Sequence, residues 1–237
     1  MNDTGTKGKI TRIVVGAYGE NAWIAPCGSG LAAVVDPGDE AQRILDATEK
    51  MGLRLAAALF THGHLDHIAA IPGLLAANPA MPLHMAAADA EWCFSMQNAL
   101  PPYTPVLDVP KTLLHVADGD EIRVGDAVFH AIALPGHSPG GMGYLVGEVL
   151  FSGDTLFAAS IGRTDFHGGD PAAMERSLLR LARLPPETLV LPGHGGPTTI
   201  GRECRSNPWL APLLRAGEGA KESESPNCQT SVGQLEL

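Results

Sequence analysis

The sequence predicts an α/β fold carried on two similar sheets, and three observations lead there. Apolar runs bounded by Gly, Pro and Asp alternate with stretches of helical period. The order strand, hairpin, helix occurs in each half of the chain, without a repeat of fixed period. Four of the strand-like runs end in a Gly beside a His or an Asp, and the carboxyl ends of strands are where α/β sheets bind ligands.

The elements follow in order. Residues 1–8 read as a flexible polar start. Residues 10–15 alternate as a strand. Residues 22–25 and 31–35 are further strands, with Cys27-Gly28-Ser29-Gly30 as the hairpin between them. Asp36-Pro37-Gly38 stops that hairpin. Residues 40–51 place Ile44, Leu45, Thr48 and Met51 at helical spacing, and Gly52 ends the helix. Residues 55–60 form a continuous apolar run, as a buried strand does. The Ala-rich stretch 68–77 reads as a helix, and so does 86–97. Residues 98–110, NALPPYTPVLDVP, read as a surface loop that shapes access to a site. Strands 121–124 and 127–134 make a hairpin over Gly125-Asp126, and strands 142–146 and 149–152 make another over Gly147-Glu148. Residues 172–184 form an amphipathic helix with Asp170 as N-cap and Pro171 at its first position. Residues 188–191 are a last strand. From 217 to 237 the apolar period disappears, which predicts a disordered polar tail after a domain spanning 9–216.

Composition narrows the classes of function. The chain has 237 residues and a 45% hydrophobic content with only 5% aromatics, so Ala, Leu, Val and Ile must fill the core. A formal charge of −10 argues against a nucleic-acid partner, which needs clustered Lys and Arg. No apolar run approaches the roughly 18 residues of a membrane span, and the start MNDTGTKGKI has no secretory core. Cys27, Cys93, Cys204 and Cys228 form no CxxC pair, so they read as reduced thiols of a cytoplasmic protein.

The densest chemistry lies in Thr61-His62-Gly63-His64-Leu65-Asp66-His67, where an apolar strand hands over to a helix. Pro135-Gly136-His137, Gly153-Asp154 and Pro192-Gly193-His194 follow three other strands, with glycine permitting close backbone approach. Any one of these is commonly just a turn. Together they supply five imidazoles and two carboxylates, too many for one tetrahedral zinc. Seven donors suit two metals. His62, His64 and His137 are assigned to one, Asp66, His67 and His194 to the other, and Asp154 bridges them. Such a pair holds a bridging hydroxide at neutral pH and polarises a scissile carbonyl.

His62-x-His64-x-Asp66-His67, followed by His137, Asp154 and His194, resembles the metallo-β-lactamase superfamily over residues 10–210. That resemblance implies a four-layer αββα sandwich of two mixed sheets. An Asp at 154 is unlike the true β-lactamases. The stretches Ser152-Gly153-Asp154-Thr155-Leu156-Phe157, Ser160-Ile161-Gly162-Arg163-Thr164-Asp165, Leu191-Pro192-Gly193-His194-Gly195 and Thr198-Thr199-Ile200-Gly201-Arg202-Glu203 resemble the short, single-domain bacterial glyoxalase II-like hydrolases. So does Asn207-Pro208-Trp209.

The likeness implies a dinuclear, metal-dependent hydrolase that converts a hydroxyacylglutathione, or a related acyl thioester, to acid and thiol. Asp66 and Asp154 are its catalytic carboxylates. The metals are two divalent ions, zinc first, with iron or manganese also fitting such donors. The partner is a small-molecule thioester, and the protein is a monomer or a homodimer. Arg163 is implied to contact substrate, against a structural role pairing with Asp165. Asp36 and Asp165 are implied to support ligands from behind, against a turn cap at Asp36. Full-length glyoxalase II enzymes add a helical domain with basic residues for glutathione. Here only a polar tail follows Trp209, so that domain is not expected.

Two other readings remain open. One is a persulfide dioxygenase of the same superfamily with a single iron on His62, His137 and Asp154; the other is a non-catalytic metal-binding scaffold. Asn21, Tyr18, Tyr103 and His167 read more simply as turn or loop residues than as site residues, and His84, His115 and His130 as structural.

Overall fold

The structure, a computed structural model, describes residues 8–103 and 108–223. The first sheet contains β1 (Thr11–Val15), β2 (Glu20–Pro26), β3 (Leu31–Val35), β4 (Arg54–Leu59), β5 (Leu83–Ala86) and β6 (Leu113–Val116), in that order. β1, β2 and β3 pair antiparallel, and β3 to β6 pair parallel. Its helices are α1 (Ala41–Lys50), α2 (Leu65–Ile68), α3 (Ile71–Ala77) and the single turn α4 (Ala87–Ala90). The second sheet takes β7 (Glu121–Val124), β8 (Ala127–Ala133), β9 (Met142–Val146), β10 (Val149–Gly153), β13 (Leu189–Pro192) and β14 (Thr198–Thr199), with β11 (Leu156–Phe157) and β12 (Ser160–Ile161) as a separate ribbon. Its order is β14-β13-β10-β9-β8-β7, parallel only between β10 and β13. Three helices follow its strands: α5 (Pro171–Leu181), α6 (Ile200–Ser206) and α7 (Leu210–Ser223).

Period-two alternation sorts the strand side chains into layers. In β4, Ala57 and Leu59 point inward with Val35 and Ala33, against Phe129, Ala131, Tyr144, Phe151 and Leu191 of the second sheet. Ala58 and, just past the strand, Phe60 point outward against Ile44 of α1 and Ile71 and Leu74 of α3. On the far side Leu150 and Val190 meet Met174, Leu178 and Leu181 of α5, Ile200 of α6 and Leu210 of α7. Helix, sheet, sheet, helix is the αββα sandwich expected from the resemblance. β4 is buried on both faces, which explains its unbroken apolar run. Asp170 caps α5 by accepting from the Ala172 and Ala173 amides at 2.8 and 3.1 Å, with Pro171 at its first position.

Several expectations change. The helix expected at 68–77 begins earlier and breaks into α2 and α3, so Asp66 and His67 lie on a helical turn. The helix expected at 86–97 shrinks to α4, turns and a 3-10 turn at Met96–Asn98. Buried side chains pull it apart: Asp89 and Asn98 bond to segments far away in sequence, which a regular helix would not let them reach. α7 continues to Ser223, into the stretch expected to lack regular structure. Residues 1–7, 104–107 and 224–237, with the flexible start, the centre of the 98–110 loop, Cys228 and the rest of the tail, lie outside the described residues.

Candidate metal centre

Four strand ends meet on one side of the sandwich. β4 delivers His62 and His64, and α2 delivers Asp66 and His67. The turn after β8 carries His137, the end of β10 carries Asp154, and the end of β13 carries His194. His64 Nδ1 lies 2.9 Å from His137 Nε2, and the His62 ring centroid is 4.8 and 4.9 Å from theirs. His67 Nε2 lies 3.3 Å from His194 Nε2, which is 3.4 Å from Asp66 Oδ2. Asp154 sits between the two groups. Its Oδ2 is 3.6 Å from the Nε2 atoms of both His137 and His194, and its Oδ1 is 3.6 Å from His67 Nε2.

The donor atoms of His62, His64 and His137 lie within 4.8 Å of one another, as do those of Asp66, His67 and His194, so each trio could hold a metal ion. Nitrogen ligands at about 2.0–2.1 Å around a tetrahedral ion stand about 3.3 Å apart. Most of the separations here are close to that. Among the described residues His62 Nε2 and Asp154 Oδ1 are buried without a hydrogen-bond partner, a costly state for polar atoms that a cation would satisfy.

Groups behind the histidines fix which nitrogen faces inward. Asp36, at a positive φ of 49°, accepts from the Thr61 amide at 2.7 Å and from the Thr61 hydroxyl at 2.6 Å. With its proton so engaged, Thr61 Oγ1 accepts from His62 Nδ1 at 3.1 Å. Asp36 Oδ2 also accepts from His67 Nδ1 at 3.2 Å. The Arg163 carbonyl accepts from His137 Nδ1 at 2.7 Å. All three rings therefore turn Nε2 into the site.

Charge follows burial and neighbours. Burial, then the adjacent His67, holds His62 well below the usual imidazole range, and burial with His137 pushes His64 down to about 3. Burial alone would lower His67, but Asp154, Asp66 and Asp36 outweigh it and push it up to about 9. Burial also works to raise Asp66, but His67 and His194 overcome it and hold that carboxyl below the usual range. Neutral His62 and His64 beside ionised carboxylates are donors suited to a divalent cation, and such a cation would take the place of the proton that the carboxylates hold on His67.

The sequence reading missed several supports. Glu20 is wholly buried and lies 3.8 Å from His67 Nδ1. Burial, then Asp36, Asp66 and Asp154, raises its carboxyl well above the usual range. Asn21 donates to the Pro192 and Gly195 carbonyls at 2.9 and 3.0 Å and so clamps the His194 turn. Asp89 ties the His62–His64 loop to the His137 loop. It accepts from the Gly63 and Gly140 amides at 2.8 and 2.6 Å and from the Ser138 hydroxyl at 2.7 Å. The only hint in the sequence was an isolated acid among alanines.

Other expected residues divide. Asp165 does not support a ligand from behind; it pairs with Arg163 at the surface through two 2.6 Å bonds, because its short side chain points out of the loop. Arg163 lines the cleft above the centre, and its guanidinium lies 3.9 Å over the Phe166 ring. Tyr18 lines the cleft and His167 is exposed at its edge, whereas Tyr103 accepts from the Ala17 amide at 3.0 Å. His84, His115 and His130 lie on β5, β6 and β8, away from the centre.

Fold and donor arrangement together define a metal-site protein of the αββα class, and the metallo-beta-lactamase superfamily profile matches residues 15–194. The chain belongs to that superfamily. It is 34% identical over 215 residues to the hydroxyacylglutathione hydrolase GloC of Haemophilus influenzae, covering 85% of this chain and 97% of that one. Among solved structures it resembles TTHA1623, crystallised in a di-iron-bound form, with a TM-score of 0.75, 38% identity, and coverage of 84% and 100% of the two chains. It also resembles ETHE1 from Myxococcus xanthus, with a TM-score of 0.72, 28% identity and 93% coverage of each.

Proposed function

We propose that the protein is a dinuclear metal-dependent hydrolase of acyl thioesters. One observation carries the reading: Asp154 Oδ2 stands 3.6 Å from an imidazole of each donor trio, the place a shared carboxylate occupies between two cations. His62, His64 and His137 would hold one ion, Asp66, His67 and His194 the other. Such a pair, when bound, lowers the pKa of a water toward about 7 and polarises a carbonyl oxygen. The likeness to the Haemophilus hydrolase and to a di-iron protein supports the same reading.

The chain's own residues supply orientation and exclusion. Asp36, Thr61 and the Arg163 carbonyl hold the protons of His67, His62 and His137 on Nδ1, so those rings do not rotate away when a ligand enters. Trp92 and Phe166 pack against His64, with ring centroids 5.4 and 5.3 Å away, and keep bulk water from that side. A thiol of pKa about 8.5 leaves as thiolate, so the reaction needs no proton donor at the leaving group.

The test is thiol release from a panel holding S-lactoylglutathione and uncharged acyl thioesters, run beside elemental analysis. The expected result is two metals per chain and release that His64→Ala abolishes. No release from any member above that control overturns the proposal. One iron per chain, with oxygen consumed on glutathione persulfide, would instead establish the dioxygenase reading, which uses only His62, His137 and Asp154.

A further inference from the structure

We propose that the preferred substrate is an uncharged acyl thioester bearing an aromatic or branched apolar group, not an anionic conjugate of the glutathione type; this rests on the thioester-hydrolase reading. The cleft above the metal centre has a volume of about 540 Å³, room for a small-molecule ligand. Its walls include Tyr18, Trp92, Leu100, Phe157, Ile161 and Phe166. Tyr18 and Phe166 are 47% and 38% exposed, so two large apolar rings face solvent at the mouth. An apolar substituent entering there would cover them.

Away from the two cations that the centre would hold, the walls of this cleft are poor in positive charge. Among the described lining residues Arg163 is the one Lys or Arg side chain. Its Nε and one terminal nitrogen are engaged by Asp165 at 2.6 Å each, and its plane is stacked on Phe166 at 3.9 Å. A substrate carboxylate would have to displace a carboxylate fixed two residues away, a competitor at high effective concentration. Asn98, also in the lining, spends its amide on the Gly63 and Cys93 carbonyls, both at 2.8 Å. The described stretch 98–103, NALPPY, contains no charged residue. Tyr18 donates to the Pro101 carbonyl at 2.5 Å and joins that loop to the opposite wall. Glutathione carries two carboxylates and one ammonium, and among the described lining residues this cleft offers its carboxylates no unpaired Lys or Arg side chain.

Three thioesters read the preference in the metal-loaded protein: phenylacetyl-N-acetylcysteamine, acetyl-N-acetylcysteamine and phenylacetylglutathione. The first should exceed each of the others in kcat/KM at least tenfold. Asp165→Ala lies at the surface and frees the guanidinium. It should raise kcat/KM for the glutathione thioester, relative to the neutral one, at least fivefold. Phe166→Ala should narrow the phenylacetyl-over-acetyl ratio at least fivefold. Equal or better use of the glutathione thioester, or no shift of the ratio in Asp165→Ala, overturns the proposal and leaves the hydrolase reading standing.

If none of the thioesters is hydrolysed, the hydrolase reading fails, and binding still decides the cleft's preference. Calorimetry with S-benzyl-N-acetylcysteamine and S-benzylglutathione then compares a neutral and an anionic thioether. Binding at least tenfold tighter for the neutral one upholds the cleft's preference for a neutral apolar ligand, without the substrate role. Equal affinity, reversed order, or binding of neither overturns it.

Discussion

Replacing Asp89 by Asn tests whether one buried carboxylate fastens the two loops that carry His62, His64 and His137. Its Oδ2 accepts from the Gly63 amide at 2.8 Å and the Ser138 hydroxyl at 2.7 Å. Its Oδ1 accepts from the Gly140 amide at 2.6 Å and the Trp92 indole at 3.2 Å. All four are donors, which only a carboxylate satisfies on both oxygens. Asn must turn its NH2 toward one pair. The Oδ2 side is the cheaper choice, because the Ser138 hydroxyl can rotate to accept while neither donor on the Oδ1 side can. The Gly63 N–H is then left buried and unpaired, at about 1–3 kcal/mol. The two bonds on the other side lose their charge assistance, at roughly 0.5–1 kcal/mol each. The sum is centred near 3.5 kcal/mol, at about 1–3 plus 1–2 kcal/mol. At about 2–4 °C per kcal/mol for a domain of this size, the melting temperature falls about 7–14 °C. Calorimetric melts of the metal-loaded proteins measure it. Metal affinity should fall as well, on the order of 10–100-fold, because the loops on both sides of His64 and His137 loosen. A melting temperature within about 2 °C of the wild type, or unchanged metal affinity, refutes the reasoning.

Three further perturbations have defined outcomes. A Cβ at Gly193 would run into Asp154 Oδ1 and His67 Cε1, so Gly193→Ala should lower metal content per chain and cut turnover on the order of 100-fold; full metal loading in elemental analysis counts against it. Glu20→Gln should raise the melting temperature of the metal-free protein at pH 7, because it removes a buried acid from the neighbourhood of Asp36, Asp66 and Asp154. The sign follows from the raised carboxyl: its favourable protonated form is fully populated below its unfolded value of about 4.3 and is lost as pH rises through the folded one, so the gain should vanish near pH 4. Burial pushes Cys27 up to about 11 and Cys93 up to about 12, so at pH 8 iodoacetamide should label neither in the folded protein and both in guanidinium, as read by peptide mass spectrometry.

What the sequence disclosed, and what it withheld, has a physical basis. The seven donors were visible because metal ligands are specific residue types clustered at or just past strand ends, five of them beside a glycine. β4 could be read because burial on both faces requires an unbroken apolar run. The supports were hidden because their partners are remote. Asp89 meets Gly140, 51 residues on, and Asn21 meets Pro192, 171 residues on. No local pattern encodes such pairings, and those of Asp89 and Asn98 overrode the helical propensity of 86–97. Asp165 shows the converse error. A motif places an acid near the site, but only the direction of its side chain decides whether it backs a histidine or neutralises an arginine. That direction sets the charge of the cleft walls and, on our proposal, which thioesters the cleft accepts. Two members of one superfamily can thus share every metal donor and still part on substrate, because the donors are fixed by the ion and the walls are not.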